Sequence, residues 1–173
     1  NRLIPAVSLA IGVNAGASAE PARAPGTAAL TARVLDKGTT RYDADAIADE
    51  LEGRGASLSV GAGRQQIVVS ATCLVDDIGA VLPVACAVAR QPTFPETEVA
   101  TRRAELVTGI QEAADDPGTV AVDALHAALY PDGHPLGRPV RGSQASVAAL
   151  TRGDLAAYHR RYFVPGATTV VAV

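Results

Sequence analysis

Pro25-Gly26-Thr27-Ala28-Ala29-Leu30-Thr31-Ala32-Arg33-Val34-Leu35-Asp36-Lys37-Gly38-Thr39 is the stretch on which the reading of the whole chain turns. It reads as a short helix between two glycine-bearing turns. Thr27 is placed to cap its start, Ala28 to Leu35 propagate it, and Gly38 suits the left-handed turn that ends it. Residues 29 and 33 stand four apart, so their side chains share a face. That face holds Ala29 and Arg33, with Ala32 beside them: one cation, and no side chain that donates a lone pair to a metal.

Working outward, the flanks alternate between two periods. Val7, Leu9, Ile11 and Val13 alternate with small residues, the pattern of a half-buried strand, and 14–24 is a small, polar loop leading into the helix. Downstream, Asp43 is placed to cap a helix over 44–52, and Gly53 and Gly55 break it. Strands follow over 56–60 and 65–73, joined through the hairpin residues Gly61 and Gly63. Asp76 or Asp77 starts a helix to 90, in which Pro83 is tolerable only near the first turns or at a distortion. The segment 92–95 is a rigid connection into a long helix over 96–114, with Val99, Leu106, Ile110 and Ala113 as its apolar stripe. Thr119 is placed to cap a helix over 119–129, and 130–142 reads as a long ordered loop. Thr151 with Asp154 forms a capping box for a helix over 152–162, and Pro165-Gly166 turns the chain into a last strand, 168–173. Segregated strands and helices of this kind predict an α+β fold, with an antiparallel or mixed sheet packed by helices.

Composition bounds the function. The 173 residues fit one domain, 48% of them apolar, enough to bury roughly two-thirds of the extended-chain surface. A net charge of −3 without a basic stripe argues against nucleic acid or an anionic membrane as partner. Positive charge rests on arginine, since Lys37 is the one lysine. Cys73 and Cys86 form no C-x-x-C or Cys/His cluster and read as core thiols. No apolar run approaches the roughly 20 residues that span a bilayer.

In order and spacing, the turns and loops resemble the pitrilysin/insulinase (M16) family of zinc peptidases, which includes the mitochondrial processing peptidase subunits. The likeness is carried by Gly26, Ala28, Gly38-Thr39, Leu51 with Gly55, Phe94, Asp116-Pro117, His134-Pro135-Leu136-Gly137, Gly142, Asp154-Leu155, Tyr158 and Tyr162 with Pro165. It implies a pitrilysin/processing-peptidase-like domain, with 1–173 as one part of a longer two-domain subunit. In the family the helix carries H-x-x-E-H, two zinc ligands and the base that activates water. A third ligand, a glutamate, comes from the long helix.

Matched residue by residue, Ala29 and Arg33 occupy the ligand positions, Ala32 the base position and Gly109 the third-ligand position. None offers the required atom, so no cofactor is expected here; zinc belongs to catalytic relatives or a partner subunit. Arg33 has two readings, a solvated wall residue or a cation paired with Glu105 or Glu112, which flank Gly109 at −4 and +3. Arg33, Glu105, Thr108 and Glu112 are the candidate site-lining set. His126 reads as a surface pair with Asp123, His134 as loop packing, and His159 as solvated near a helix end.

The resemblance therefore implies a non-catalytic subunit or domain of a peptidase assembly. Its partner would be a homologous subunit with H-x-x-E-H intact, and its ligand an extended peptide laid on an exposed strand edge, 56–60 or 65–73. Two alternatives stay open: a zinc peptidase with ligands recruited elsewhere, and a structural subunit that has lost peptide handling. The compartment is open between bacterial cytoplasm and periplasm.

Overall fold

A computed structural model describes residues 5–173. Four strands form one sheet: β1 (Ala6–Val13), β2 (Ser57–Ala62), β3 (Ile67–Leu74) and β4 (Thr168–Ala172), in the order β2-β3-β1-β4, with every neighbour antiparallel. Register follows from the period of two. Leu9, Ile11 and Val13 lie opposite Ala71, Val69 and Ile67, and these in turn lie opposite Leu58, Val60 and Ala62. That row is the core face, where Leu9, Ile11, Val13, Ile67, Val69 and Ala71 are all buried. The opposite face carries Ser8, Ala10, Gly12, Ser57, Ser59, Ser70 and Thr72 together with Val68, Leu74 and Val171, and among the described residues no side chain on it is buried. The fold is therefore α+β in two layers, with helices on one side of the sheet.

The helices are α1 (Thr27–Val34), α2 (Ala44–Glu52), α3 (Ile78–Arg90), α4 (Glu96–Ala114), α5 (Pro117–Leu129), α6 (Gln144–Ala148) and α7 (Arg152–Tyr162). α1 has eight residues, below the roughly 12–15 at which an isolated helix holds in water. Burial supplies what length does not. Leu30 and Val34 are fully enclosed, as is Leu35 at its end, each worth roughly 1.5–3 kcal/mol. α1 packs on β2, α4 and α7, so it sits where the sheet, the long helix and the last helix meet.

Several local expectations change. Strand β2 runs through Gly61 to Ala62, so the hairpin turn lies at 63–66. α5 begins at Pro117, not at Thr119. Asp116 is its cap, accepting from the Thr119 N–H at 2.8 Å, and proline at the first helical position gives up only an orphan donor. Pro83 stands in the second turn of an unbroken α3, and the carbonyl that loses its donor there belongs to Gly79, four residues earlier. α6, absent from the expected elements, is a five-residue helix closed by a capping box of Ser143 and Ser146. The capping box of Thr151 and Asp154 forms as read, as does the Asp43 cap, which accepts from the Ala46 N–H at 2.8 Å.

Arginines tie the loops to this frame. Arg64 donates to the carbonyls of Leu136 and Arg138, Arg103 to that of Leu150, and Arg152 to those of Phe94 and Thr93. Phe94 has φ +49, a left-handed conformation costly for an aromatic residue. Its buried ring and the Arg152 bond hold it there.

Candidate functional site

α1 is built from its N-terminus, and its cap comes from elsewhere in the chain. Gly26, with φ +93, is the cap residue and has no side chain to offer; Thr27, the expected cap, instead donates its hydroxyl to the Ala24 carbonyl at 2.7 Å. The acceptor is Glu20. Its carboxylate, 6% exposed, takes the Gly26 N–H at 3.0 Å and the Ala28 N–H at 2.6 Å. Burial pushes this carboxyl up to about 7, against the two amide donors and the Arg138 guanidinium, which pull it down. The loop that delivers Glu20 is fastened by α7: the Tyr158 hydroxyl lies 2.9 and 3.0 Å from the Ala15 and Gly16 carbonyls, and the Tyr162 hydroxyl 2.6 Å from that of Ala19.

The same helix end is clamped by the segment after α5. Gly142, with φ +74, approaches Pro25 so closely that a Cβ would lie 2.5 Å from the Pro25 carbonyl oxygen. A Cβ at Gly26 would lie 2.6 Å from a Val147 methyl and 2.8 Å from the Arg141 carbonyl oxygen. Two glycines face each other because neither backbone leaves room for a side chain.

Beside α1 lies a cavity of about 480 Å³, walled by α1 (Ala29, Ala32, Arg33), the end of β2 (Val60, Gly61, Ala62), Leu106 of α4, and Val140 and Arg141. The three degenerate positions of α1 thus line one space. Gly109 and Thr108 lie on α4, the helix packed against α1, but are outside this lining; a Cβ at Gly109 would meet nothing within 4 Å. Glu105 pairs with Arg102 at 2.9 Å and Glu112 is exposed, and Arg33 is in no ion pair among the described residues. Arg33 is exposed and lines this cavity.

The donor set does not fit a zinc ion. Ala29 and Ala32 present methyl groups, Arg33 a cation without a lone pair, and Gly109 no side chain. Among the described residues no three His, Cys, Asp or Glu side chains converge as a metal site. The histidines are engaged elsewhere. His126 Nδ1 bonds the Val122 carbonyl at 2.9 Å while Asp123 pairs with Arg141, so the expected His126–Asp123 pair does not form. His134 Nδ1 accepts from the Leu136 N–H at 3.2 Å and its ring stacks on Tyr130. His159 is not solvated: Nε2 lies 2.9 Å from the Ala89 carbonyl, between the Phe94 and Phe163 rings, and burial holds its pKa below the usual imidazole value. Cys73 and Cys86 are unpaired thiols, the first buried and the second half-buried.

The strand edge is decided by the sheet order. β3, covering the 65–73 candidate, lies between β2 and β1, whereas β2 pairs on one side only among the described residues, leaving its outer edge beside the α1 cavity.

Comparison with known proteins places this geometry. Residues 2–144 match the model of the insulinase family, peptidase family M16. The chain is 30% identical over 172 residues to an uncharacterised zinc protease of Mycobacterium tuberculosis, covering 98% of this chain and 39% of that one. A probable mitochondrial-processing peptidase β subunit of Schizosaccharomyces pombe is 30% identical over 148 residues, 86% of this chain and 32% of that one. A crystal structure of an inactive M16 peptidase domain from Pseudomonas fluorescens superposes with a TM-score of 0.92 at 30% identity, covering all of this chain and 42% of that one. The chain thus spans about a third to two-fifths of the length of these relatives.

Proposed function

The chain belongs to the insulinase family, peptidase family M16, and from that premise we propose that it is a non-catalytic part of a peptidase assembly. It shapes the wall of a peptide-holding chamber and leaves the hydrolytic step to a homologous subunit with H-x-x-E-H intact. The observation that carries this is the contrast between frame and chemistry. The helix, its glycine clamp and its cavity are built in full, while Ala29, Ala32, Arg33 and Gly109 supply no ligand and no base. Stability alone does not demand that frame, since an eight-residue helix capped from a separate loop is an expensive way to cover a sheet. The likeness to a structure described as an inactive M16 domain supports the same reading.

Within that role the outer edge of β2 is the place for an extended peptide. Adding a strand there satisfies its unpaired backbone groups and lays the peptide across the cavity mouth at Gly61 and Ala62. We further propose that residues 1–173 form one part of a longer, two-domain subunit, a reading supported by coverage of only about a third to two-fifths of the relatives' length. No helix among the described residues is long and apolar enough to cross a membrane.

The test is reconstitution. The full-length protein is mixed with a homologue carrying H-x-x-E-H, and complex formation and cleavage of an unstructured peptide are measured with each alone and together. A stable complex with raised or redirected cleavage is expected. Failure to associate and unchanged cleavage, alongside a stable complex with an unrelated partner, would replace this reading with the structural one.

A further inference from the structure

Resting on the peptide-holding reading, we propose that the α1 cavity is an anion pocket that binds a carboxylate of the extended peptide, held by Arg33. Where the family's catalytic members place a dication, this chain places a guanidinium. Among the described residues the cavity walls contain two charged side chains, Arg33 and Arg141, and no acidic one. Arg141 is already matched by Asp123. Arg33 is exposed and makes no side-chain hydrogen bond or ion pair among the described residues, although acidic side chains are available on the neighbouring α4. Those acids are turned to other work or to solvent: Glu98 and Glu105 flank Arg102. Among the described residues the result is one uncompensated cation in a concave wall that also carries the apolar side chains of Ala29, Ala32 and Leu106.

A guanidinium offers a planar fork that matches a carboxylate with two parallel N–H donors, a geometry that a neutral amide cannot return in full. The end of β2 adjoins the same space, so a strand paired on that edge passes the pocket and can drop an alternate side chain into it. The ligand chemistry is a carboxylate, from an internal glutamate or aspartate or from the peptide's C-terminus.

The test uses the full-length protein that contains residues 1–173 and three octapeptides of otherwise identical, uncharged sequence, each labelled with an uncharged boron-dipyrromethene fluorophore. One carries an internal glutamate with an amidated C-terminus, one a glutamine in its place with an amidated C-terminus, and one that glutamine with a free C-terminus. Anisotropy titrations are expected to show the glutamate or free-carboxylate peptide binding about fivefold tighter than the neutral one, as suits a partly exposed ion pair. Arg33→Gln should erase that difference between the charged and neutral peptides, and Arg33→Lys should restore part of it. In parallel, the Arg33 Nε–H resonance is followed during titration with N-acetylglutamate methylamide and with its glutamine counterpart, and only the former should move it. If all three peptides bind alike, the anion pocket is overturned and peptide holding stands. If no peptide binds but the small carboxylate still moves Arg33, peptide holding fails and the pocket stands. If neither responds, both are wrong.

Discussion

Replacing Glu20 by glutamine should change how the stability of the protein depends on pH. The native carboxyl is pushed from the ordinary 4.5 to about 7 by its burial under α1. Between those values the folded chain keeps a proton that the unfolded chain has released. Stability from this group is therefore fully present below about pH 4.5 and is lost as pH rises through about 7. At 1.36 kcal/mol per pKa unit the whole effect is about 3 kcal/mol, of which about 2 kcal/mol falls between about pH 5 and pH 7.5. His159 contributes with the opposite sign. Its imidazole is held below its usual pKa by burial, so its share of stability is present above the unfolded value and lost as pH falls. Because Glu20→Gln leaves His159 untouched, the difference between the two proteins isolates Glu20. Urea unfolding followed by far-UV circular dichroism at several pH values measures it. The native midpoint should fall relative to the variant's as pH rises. Parallel curves across that range would show that the two amide bonds from Gly26 and Ala28, rather than burial, set the charge state of Glu20.

Three further outcomes follow from distances already given. Gly142→Ala should lose at least about 2 kcal/mol, since its Cβ would lie 2.5 Å from the Pro25 carbonyl at a φ of +74; thermal unfolding near the native midpoint would count against the clamp. Gly109→Ala should gain about 0.5–1 kcal/mol, because a methyl group there meets nothing within 4 Å and removes backbone freedom from the unfolded chain. The combined variant Ala29→His, Ala32→Glu, Arg33→His and Gly109→Glu should take up zinc in competition with a chromophoric chelator while the native chain does not; a well-folded variant that ignores zinc would show that α1 and α4 are not set at ligand distance.

The strands and longer helices were legible because their signals are repetitive. Val7 to Val13 shows the period of two in one line, and the 96–114 helix lies between a proline-rich connection and Asp115-Asp116-Pro117-Gly118. The degenerate face of α1 was equally plain, since a spacing of four in a helix needs no tertiary information. What escaped depends on contacts distant in sequence or on substituted signals. Glu20 caps a helix whose first residue lies seven positions later, so no local capping pattern marks it. α6 is only five residues long, and Ser146 stands where a capping box more often has glutamate or glutamine. His159 was read from its helix end, but its surroundings are the aromatic rings of Phe94 and Phe163 and the end of α3. For Arg33, helical spacing puts Glu105 and Glu112 on the Gly109 face of α4, but spacing cannot say that Arg102 lies beside Glu105.

The clamp between Gly26 and Gly142 also has a consequence for synthesis. A ribosome emits residue 26 well before residue 142, and α1 is too short to persist on its own in that interval. Its hydrogen-bonded start waits for α7, because Tyr158 and Tyr162 fasten the loop that carries Glu20. Its wall waits too, because Arg141, Gly142 and Val147 arrive more than a hundred residues later. A nascent chain arrested before residue 140 should therefore leave α1 open to proteolysis, and one from which α7 has fully cleared the ribosome should close it. The segment that defines the cavity is among the first to be made and among the last to be finished.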